Sequence, residues 1–318
     1  MRDTLTAPPA RTRVPLRHLT GPHAIDRALI EQLLARAAGF EKGTESGAGP
    51  LQGRLLATVF YEPSTRTRFS FEAAMHRLGG QVLSAENATR ASSAAKGESL
   101  EDAVQVISGY VDGIVLRHPE VGAAERAAHA AQVPVISAGD GPGHHPTQAL
   151  LDLYTIKKEL GRLDHLRVGL AGDLRHGRTV RSLALLLSRF SGNQLVLIAP
   201  PGLGMREDVL GSLGQVGQVV EETGDFTGAI PRLDVLYQTR IQAERFASPQ
   251  EYERYRGIYV VTAEVLGRLP EHAILMHPLP RVAEIDPVVD ADPRAAYFRQ
   301  ARNGLWVRMA VLDWAMAR

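Results

Sequence analysis

Short apolar runs recur along this chain, and each gives way to a segment of helical spacing. Leu55–Phe60 is the first run, and Phe71, Met75 and Leu78 follow it at i, i+4 and i+7, the spacing of one helical face. Further runs lie at Gln81–Ser84, Gly113–Leu116 and Val133–Ile136. A second series begins at Leu166–Leu170 and continues at Leu195–Ile198, Val216–Val220, Val235–Tyr237 and Ala273–Met276. Helical segments stand between the runs, so hairpins cannot join them; such strands pair in parallel, with helices covering both faces. The alternation predicts an α/β fold with two doubly wound domains, each a parallel sheet flanked by helices. A chain of 318 residues exceeds the usual size of a single core, in keeping with two domains. A long helix is expected over roughly Pro293 to Arg318.

Composition narrows the function classes. The net charge of +1 gives no support for a nucleic-acid binder. There is no cysteine, which rules out disulfides, thiolate nucleophiles and sulfur-ligated zinc. The absence of cysteine fits a reducing compartment, and the expected location is cytoplasmic. No apolar stretch approaches the ~18–20 residues of a membrane span. Met1 to Thr20 lacks the apolar core of a secretory signal, and its first dozen residues read as a loose tail.

In open parallel sheets, ligands bind beyond the carboxyl ends of the strands. Unusual polar residues cluster at those ends here. Ser64-Thr65-Arg66-Thr67-Arg68 follows the first strand and opens a helix. Free backbone N–H groups and the helix dipole make such a turn an anion site, whereas a plain serine cap with solvated arginines is the simpler alternative. Arg66 and Arg68 lie about 200° apart on a helix, so only one can face a pocket there. Arg117 ends another strand. Gly139 to Pro146 is a glycine-rich loop carrying His145 and opening a helix at Thr147, with Gln148 just inside. Arg178, Arg240, Gln242 and His277-Pro278-Leu279-Pro280 follow strands of the second series.

Arginines and hydroxyls bind phosphate and carboxylate. Ser64, Thr65, Arg66 and Thr67 offer a phosphate pocket, Arg178 and Arg240 suit carboxylates, and His145 could donate to a carbonyl oxygen between them. No Walker loop, G-x-S-x-G elbow or H-E-x-x-H is present. A set of donors without a protein nucleophile, metal spacing or cofactor motif suits transfer of an activated acyl group from phosphate to an amine. The enzyme then contributes positioning and oxyanion stabilisation.

Phe60-Tyr61-Glu62-Pro63-Ser64-Thr65-Arg66-Thr67-Arg68-Phe69-Ser70-Phe71-Glu72 closely resembles the carbamoyl-phosphate signature of the transcarbamoylases. His145-Pro146-Thr147-Gln148, followed by Leu150-Leu151-Asp152, is similar to their second motif. The resemblance runs from about Arg17 to the end. His277-Pro278-Leu279-Pro280-Arg281, Asp173–Val180 and Thr239–Arg245 resemble the aspartate branch; the ornithine branch carries a cysteine where this chain has none.

The resemblance implies a carbamoyl-phosphate-binding domain over 1–147 and an aspartate-binding domain over 148–302, with a helix over about 303–318 packing back onto the first. It implies that Ser64, Thr65, Arg66 and Thr67 hold phosphate and that Arg117 bridges phosphate and carbonyl oxygen. Thr67, Arg117 and His145 would polarise that carbonyl. Gln148 and the backbone carbonyls of Pro278 and Leu279 would hold the carbamoyl amide, and Arg178, Arg240 and Gln242 the carboxylates of L-aspartate. Catalysis would rest on His145, Arg117, Thr67 and Arg66, with no metal or cofactor.

The implied reaction is direct attack of the amine of aspartate on carbamoyl phosphate, giving N-carbamoyl-L-aspartate and phosphate, a step of pyrimidine biosynthesis. The proton acceptor stays open between the departing phosphate and His145. Residues 86–97 read as an exposed loop. Within it, Ser92 and Lys96 match residues that the family inserts into a neighbouring subunit's site, which implies a homotrimer with shared sites. Regulatory or dihydroorotase-type subunits are further partners that the family allows. Two alternatives are another transcarbamoylase with a different amine acceptor and a non-catalytic assembly paralogue. Three acceptor-side groups suited to two carboxylates argue against the first, and an intact donor set against the second.

Overall fold

The computed structural model describes residues 15–43, 49–87, 97–246 and 248–317. The expected tail at the start of the chain, Ser92 and Lys96 lie outside these residues. The first half contains α1 (Arg27–Lys42), β1 (Leu55–Phe60), α2 (Thr65–Arg77), β2 (Gln81–Glu86), α3 (Leu100–Ser108), β3 (Gly113–His118), α4 (Ala123–Ala130) and β4 (Val135–Asp140). The helix α5 (Pro146–Leu160) leads into the second half. There β5 (Arg167–Ala171), α6 (Arg178–Leu187), β6 (Gln194–Ile198), α7 (Glu207–Gln215), β7 (Val219–Thr223), α8 (Phe226–Ala229) and β8 (Val235–Gln238) follow. The short helices α9 (Pro249–Glu253) and α10 (Ala263–Gly267), strand β9 (Ile274–Met276) and the long helix α11 (Tyr297–Met316) complete the chain.

All strand pairs are parallel, in the orders β2-β1-β3-β4 and β7-β6-β5-β8-β9. Both sheets have helices on two faces, so successive residues of the other strands are buried against different cores, while the edge strands β2 and β7 are largely exposed. Leu56 and Phe60 face the large central core, and Ala57 and Val59 face the outer one. In the second sheet Val235 and Tyr237 face the central core, and Leu236 the other. This two-sided burial explains why the strands read as near-continuous apolar runs.

Helix α11 lies against α1, α2 and α5, joining the end of the chain to its first half. Val307, Val311 and Leu312 are fully buried there, each worth about 1.5–3 kcal/mol on burial. Its start differs from the sequence expectation. Residues 287–291 form a 3-10 turn capped by Asp286, which puts the first turn of α11 at Tyr297. Strand β4 begins at Val135 and runs on through Gly139 to Asp140, and β7 starts at Val219 because α7 and its turn occupy 207–218. Glu86 belongs to β2 and not to a loop. Among the described residues no helix is long and apolar enough to cross a membrane.

Candidate active site

Each sheet reverses its strand order once, between β1 and β3 and between β5 and β8. A crevice opens outside the carboxyl ends of the strands at such a point. Here both crevices open into one cleft of about 660 Å³. The loops after β1, β3 and β4 line one side. Those after β5, β8 and β9 line the other.

On the first side, Ser64 occupies the N-cap position of α2, but its side chain makes no capping hydrogen bond. The simpler reading of Ser64 as a helix cap therefore fails. Ser64 lines the cleft with Thr65, Arg66 and Thr67, at a helix start, where first-turn N–H groups have no intrahelical partner. Arg66 lines the cleft and burial lowers its pKa. Arg68 turns to the opposite side, where it donates to Glu72 at 3.2 Å and to Glu86 at 3.1 Å. The helical geometry thus divides the two arginines as their spacing requires.

Arg117, next to last in β3, is nearly buried. Its Nη1 donates to the Ala138 carbonyl at 3.2 Å, and its Nε lies 3.5 Å from Glu62. Burial, helped by the Arg178 charge and opposed by Glu62, brings its pKa down to about 9. Arg178, the first residue of α6, donates from Nη1 to the Gly141 carbonyl at 2.7 Å and lies 3.6 Å from the same Glu62 carboxylate. Burial lowers its pKa too. Glu62 thus stands between two cations taken out of water, where an anionic ligand would relieve the same strain. Both guanidinium groups pack on Gly139. At its φ of +115° a Cβ would be strained, and it would meet Arg178 Cζ at 3.2 Å.

His145 is buried at 4% exposure and anchored through its backbone N–H to Ser182 Oγ at 3.0 Å. Its buried Nδ1 has no hydrogen-bond partner. Burial, reinforced by Arg178, Arg117 and Arg308, pushes its pKa well below 6.5, so the ring is neutral. Gln148, in the first turn of α5, is the next residue of the lining.

On the second side, Pro278 and Leu279 follow β9. The Leu279 N–H donates to His277 Nδ1 at 2.8 Å, which leaves the ring proton on Nε2 to be donated to Glu284 at 2.8 Å. This buried pair holds Leu279 at a φ of 55° and turns the Pro278–Leu279 segment into the cleft. Arg240 and Gln242 follow β8 and line the same space.

All twelve candidates within the described residues therefore border one cavity, and they come from six strand ends. The sequence reading did not single out Glu62, Gln300 or Arg308, which also border it. Glu62 sits inside the quoted signature, but an acid is the wrong charge for an anion site and gave no reason to be singled out. Arg308 arrives from α11, far along the chain. Burial lowers its pKa to about 10, and its guanidinium lies over the Phe71 ring at 5.1 Å.

Two family models match the chain. Residues 17–158 match the aspartate/ornithine carbamoyltransferase carbamoyl-P binding domain, and residues 164–315 the Asp/Orn binding domain. The chain is 56% identical over 288 residues to a chloroplastic aspartate carbamoyltransferase of Oryza sativa subsp. japonica, covering 89% of this chain and 79% of that protein. Among solved structures it is similar to the catalytic subunit of M. jannaschii aspartate transcarbamoylase, with a TM-score of 0.86 and 47% identity over 93% of this chain and 96% of that one. It is also similar to the Trypanosoma cruzi aspartate transcarbamoylase in complex with N-(phosphonacetyl)-L-aspartic acid. The TM-score is 0.88, with 41% identity over 95% of this chain and 96% of that one.

Proposed function

This chain belongs to the aspartate/ornithine carbamoyltransferase family, and on that premise we propose that it transfers the carbamoyl group of carbamoyl phosphate to the amine of L-aspartate. The products are N-carbamoyl-L-aspartate and phosphate, a step of pyrimidine biosynthesis. The observation that carries this reading is the single cleft between two switch points, cationic on both sides. A phosphate enters one crevice and a dicarboxylate the other, so the reacting atoms meet in between.

We assign Ser64, Thr65, Arg66 and Thr67 to the phosphate, and Arg178, Arg240 and Gln242 to the two carboxylates. Residues 1–147, with the helix at about 303–318, form the carbamoyl-phosphate side, and 148–302 the aspartate side. Gln148 and the carbonyls of Pro278 and Leu279 accept from the carbamoyl N–H groups. The neutral amine attacks the carbamoyl carbon, and the carbonyl oxygen takes the electron pair under Thr67, Arg117 and His145. The pair on that oxygen then re-forms the carbonyl as the C–O bond to phosphate breaks, and phosphate leaves with the bonding pair. Burial and then three neighbouring arginines disfavour an imidazolium at His145, so the departing phosphate takes the amine proton and His145 remains a donor. The test is stoichiometry: carbamoyl phosphate and L-aspartate should give equal amounts of phosphate and N-carbamoyl-L-aspartate. Phosphate released without carbamoylated amine contradicts the reading.

We further assign the working form to a cytoplasmic homotrimer in which Ser92 and Lys96 of one subunit complete the site of the next. Support comes from the family match and from residues 86–97 carrying a cation without an apolar periodicity. Lys96→Ala and Arg66→Ala chains, each inactive as pure oligomers, should regain activity when dissociated together and reassembled. Hybrids that form by native mass spectrometry but stay inactive would show self-contained sites.

A further inference from the structure

The buried carboxyl of Asp152 has no part in the reaction described above. It sits on α5, four residues after Gln148, so the two side chains share one helical face. Asp152 is 0% exposed. Its Oδ1 accepts from Gln148 Nε2 at 2.9 Å and from Gln300 Nε2 at 2.6 Å, and its Oδ2 accepts from the Tyr237 hydroxyl at 2.9 Å. The Arg308 charge lies near it. Three donors from α5, α11 and β8 thus converge on one carboxyl group inside the protein. An arrangement of this kind in a dry interior is costly unless every member is satisfied, and two of its members, Gln148 and Gln300, border the cleft.

We propose that Asp152 is a positioning residue that fixes which end of the Gln148 amide faces the substrate. An amide can present either its oxygen or its NH2, and the two ends have nearly the same shape. The carbamoyl group brings an NH2 that needs acceptors. The Gln148 nitrogen is engaged by Asp152, so the oxygen is the end left for the cleft. Were the amide turned over, two NH2 groups would oppose each other. Asp152 therefore supplies selectivity for a carbamoyl over an acyl group without touching the substrate. This rests on the assignment of Gln148 to the carbamoyl amide.

The device tolerates protonation. Burial raises the Asp152 pKa to about 7, with Gln148, Gln300, Tyr237 and Arg308 opposing the rise. A proton would sit on Oδ2, where the Tyr237 hydroxyl can turn from donor to acceptor. Oδ1 keeps both amide donors in either state.

The test compares carbamoyl phosphate with acetyl phosphate, which has a methyl group in place of the NH2. The readout is the KM of carbamoyl phosphate against the inhibition constant of acetyl phosphate. Both ligands carry the phosphate, so effects felt through Arg308 cancel in the ratio. Asp152→Leu should weaken carbamoyl phosphate about tenfold relative to acetyl phosphate, the size of one well-placed hydrogen bond. Asp152→Asn keeps an oxygen for Gln148 and Gln300 and a donor for the Tyr237 oxygen, so it should restore the wild-type ratio. Asp152→Ala, which cannot clash, repeats the measurement if the leucine variant does not fold by circular dichroism.

An unchanged ratio in folded Asp152→Leu or Asp152→Ala overturns the proposal, as does an equal loss in Asp152→Asn. Gln148→Ala separates the two levels. If it raises the ratio while the Asp152 variants do not, only the positioning role falls. If it leaves the ratio unchanged, the assignment of Gln148 falls and the positioning role with it.

Discussion

His145→Ala is expected to lower kcat by about 10²–10³-fold, the loss typical of one oxyanion donor, with a much smaller change in the KM of carbamoyl phosphate. The carbonyl oxygen gains charge only as the amine attacks. A hydrogen bond to it therefore strengthens on the way to the transition state and contributes little to ground-state binding. The pH dependence separates this from base catalysis. The folded-state pKa of His145 lies well below 6.5, so the ring is already neutral at pH 6.5 and above. Lowering the pH through 6.5 should leave its donor role intact, and His145→Ala should not remove any acid limb near that pH. Full turnover in the variant, or the disappearance of a limb near pH 6.5, would contradict the assignment. The same shift bears on stability. The unfolded histidine binds a proton below about 6.5 while the folded one does not, so this contribution is present above that pH and lost as pH falls towards the folded value.

Arg240→Ala is expected to raise the KM of L-aspartate by about 30-fold or more, leaving the KM of carbamoyl phosphate near its wild-type value. Removing one partner of a desolvated charge pair typically costs about 2–5 kcal/mol, because the other charge is left without compensation. Arg240 borders the side of the cleft that follows β8, across from the Ser64–Thr67 turn. The loss should therefore fall on one substrate. Equal weakening of both substrates would show that Arg240 shapes the cleft as a whole.

Much of this was legible in the sequence because strand ends are local features. A run such as Leu55–Phe60, followed by helical spacing, fixes a turn between them, and parallel pairing puts all such turns on the same side of a sheet. The polar residues at those turns had to share a face before any distance was known. Opposite placement of Arg66 and Arg68 followed from helix geometry alone. Helix α1 was not singled out in the sequence, although its signals are local: Ile30, Leu33, Leu34, Ala37 and Phe40 are its buried residues, Asp26 caps its start and Gly43 its end. The apolar strand runs simply do not point to it.

What the sequence could not display were long-range meetings of buried polar groups. Arg308 and Gln300 reach the cleft from α11, and Asp152 gathers donors from residues 85 and 148 positions away. Glu62 is hidden for another reason: its carboxylate makes sense only once Arg117 and Arg178 are seen on either side of it. Strand limits shifted where a turn overrode propensity, as at β7, whose predicted first residues belong to the turn after α7.

The most direct measurement is a competition between amine acceptors. The protein is given labelled carbamoyl phosphate with equal concentrations of L-aspartate and L-ornithine, and the labelled products are separated. Arg178, Arg240 and Gln242 around the acceptor side predict N-carbamoyl-L-aspartate as the dominant product, with citrulline at background. Citrulline formed at an equal or greater rate would contradict the account, since a cationic acceptor has no place among those arginines.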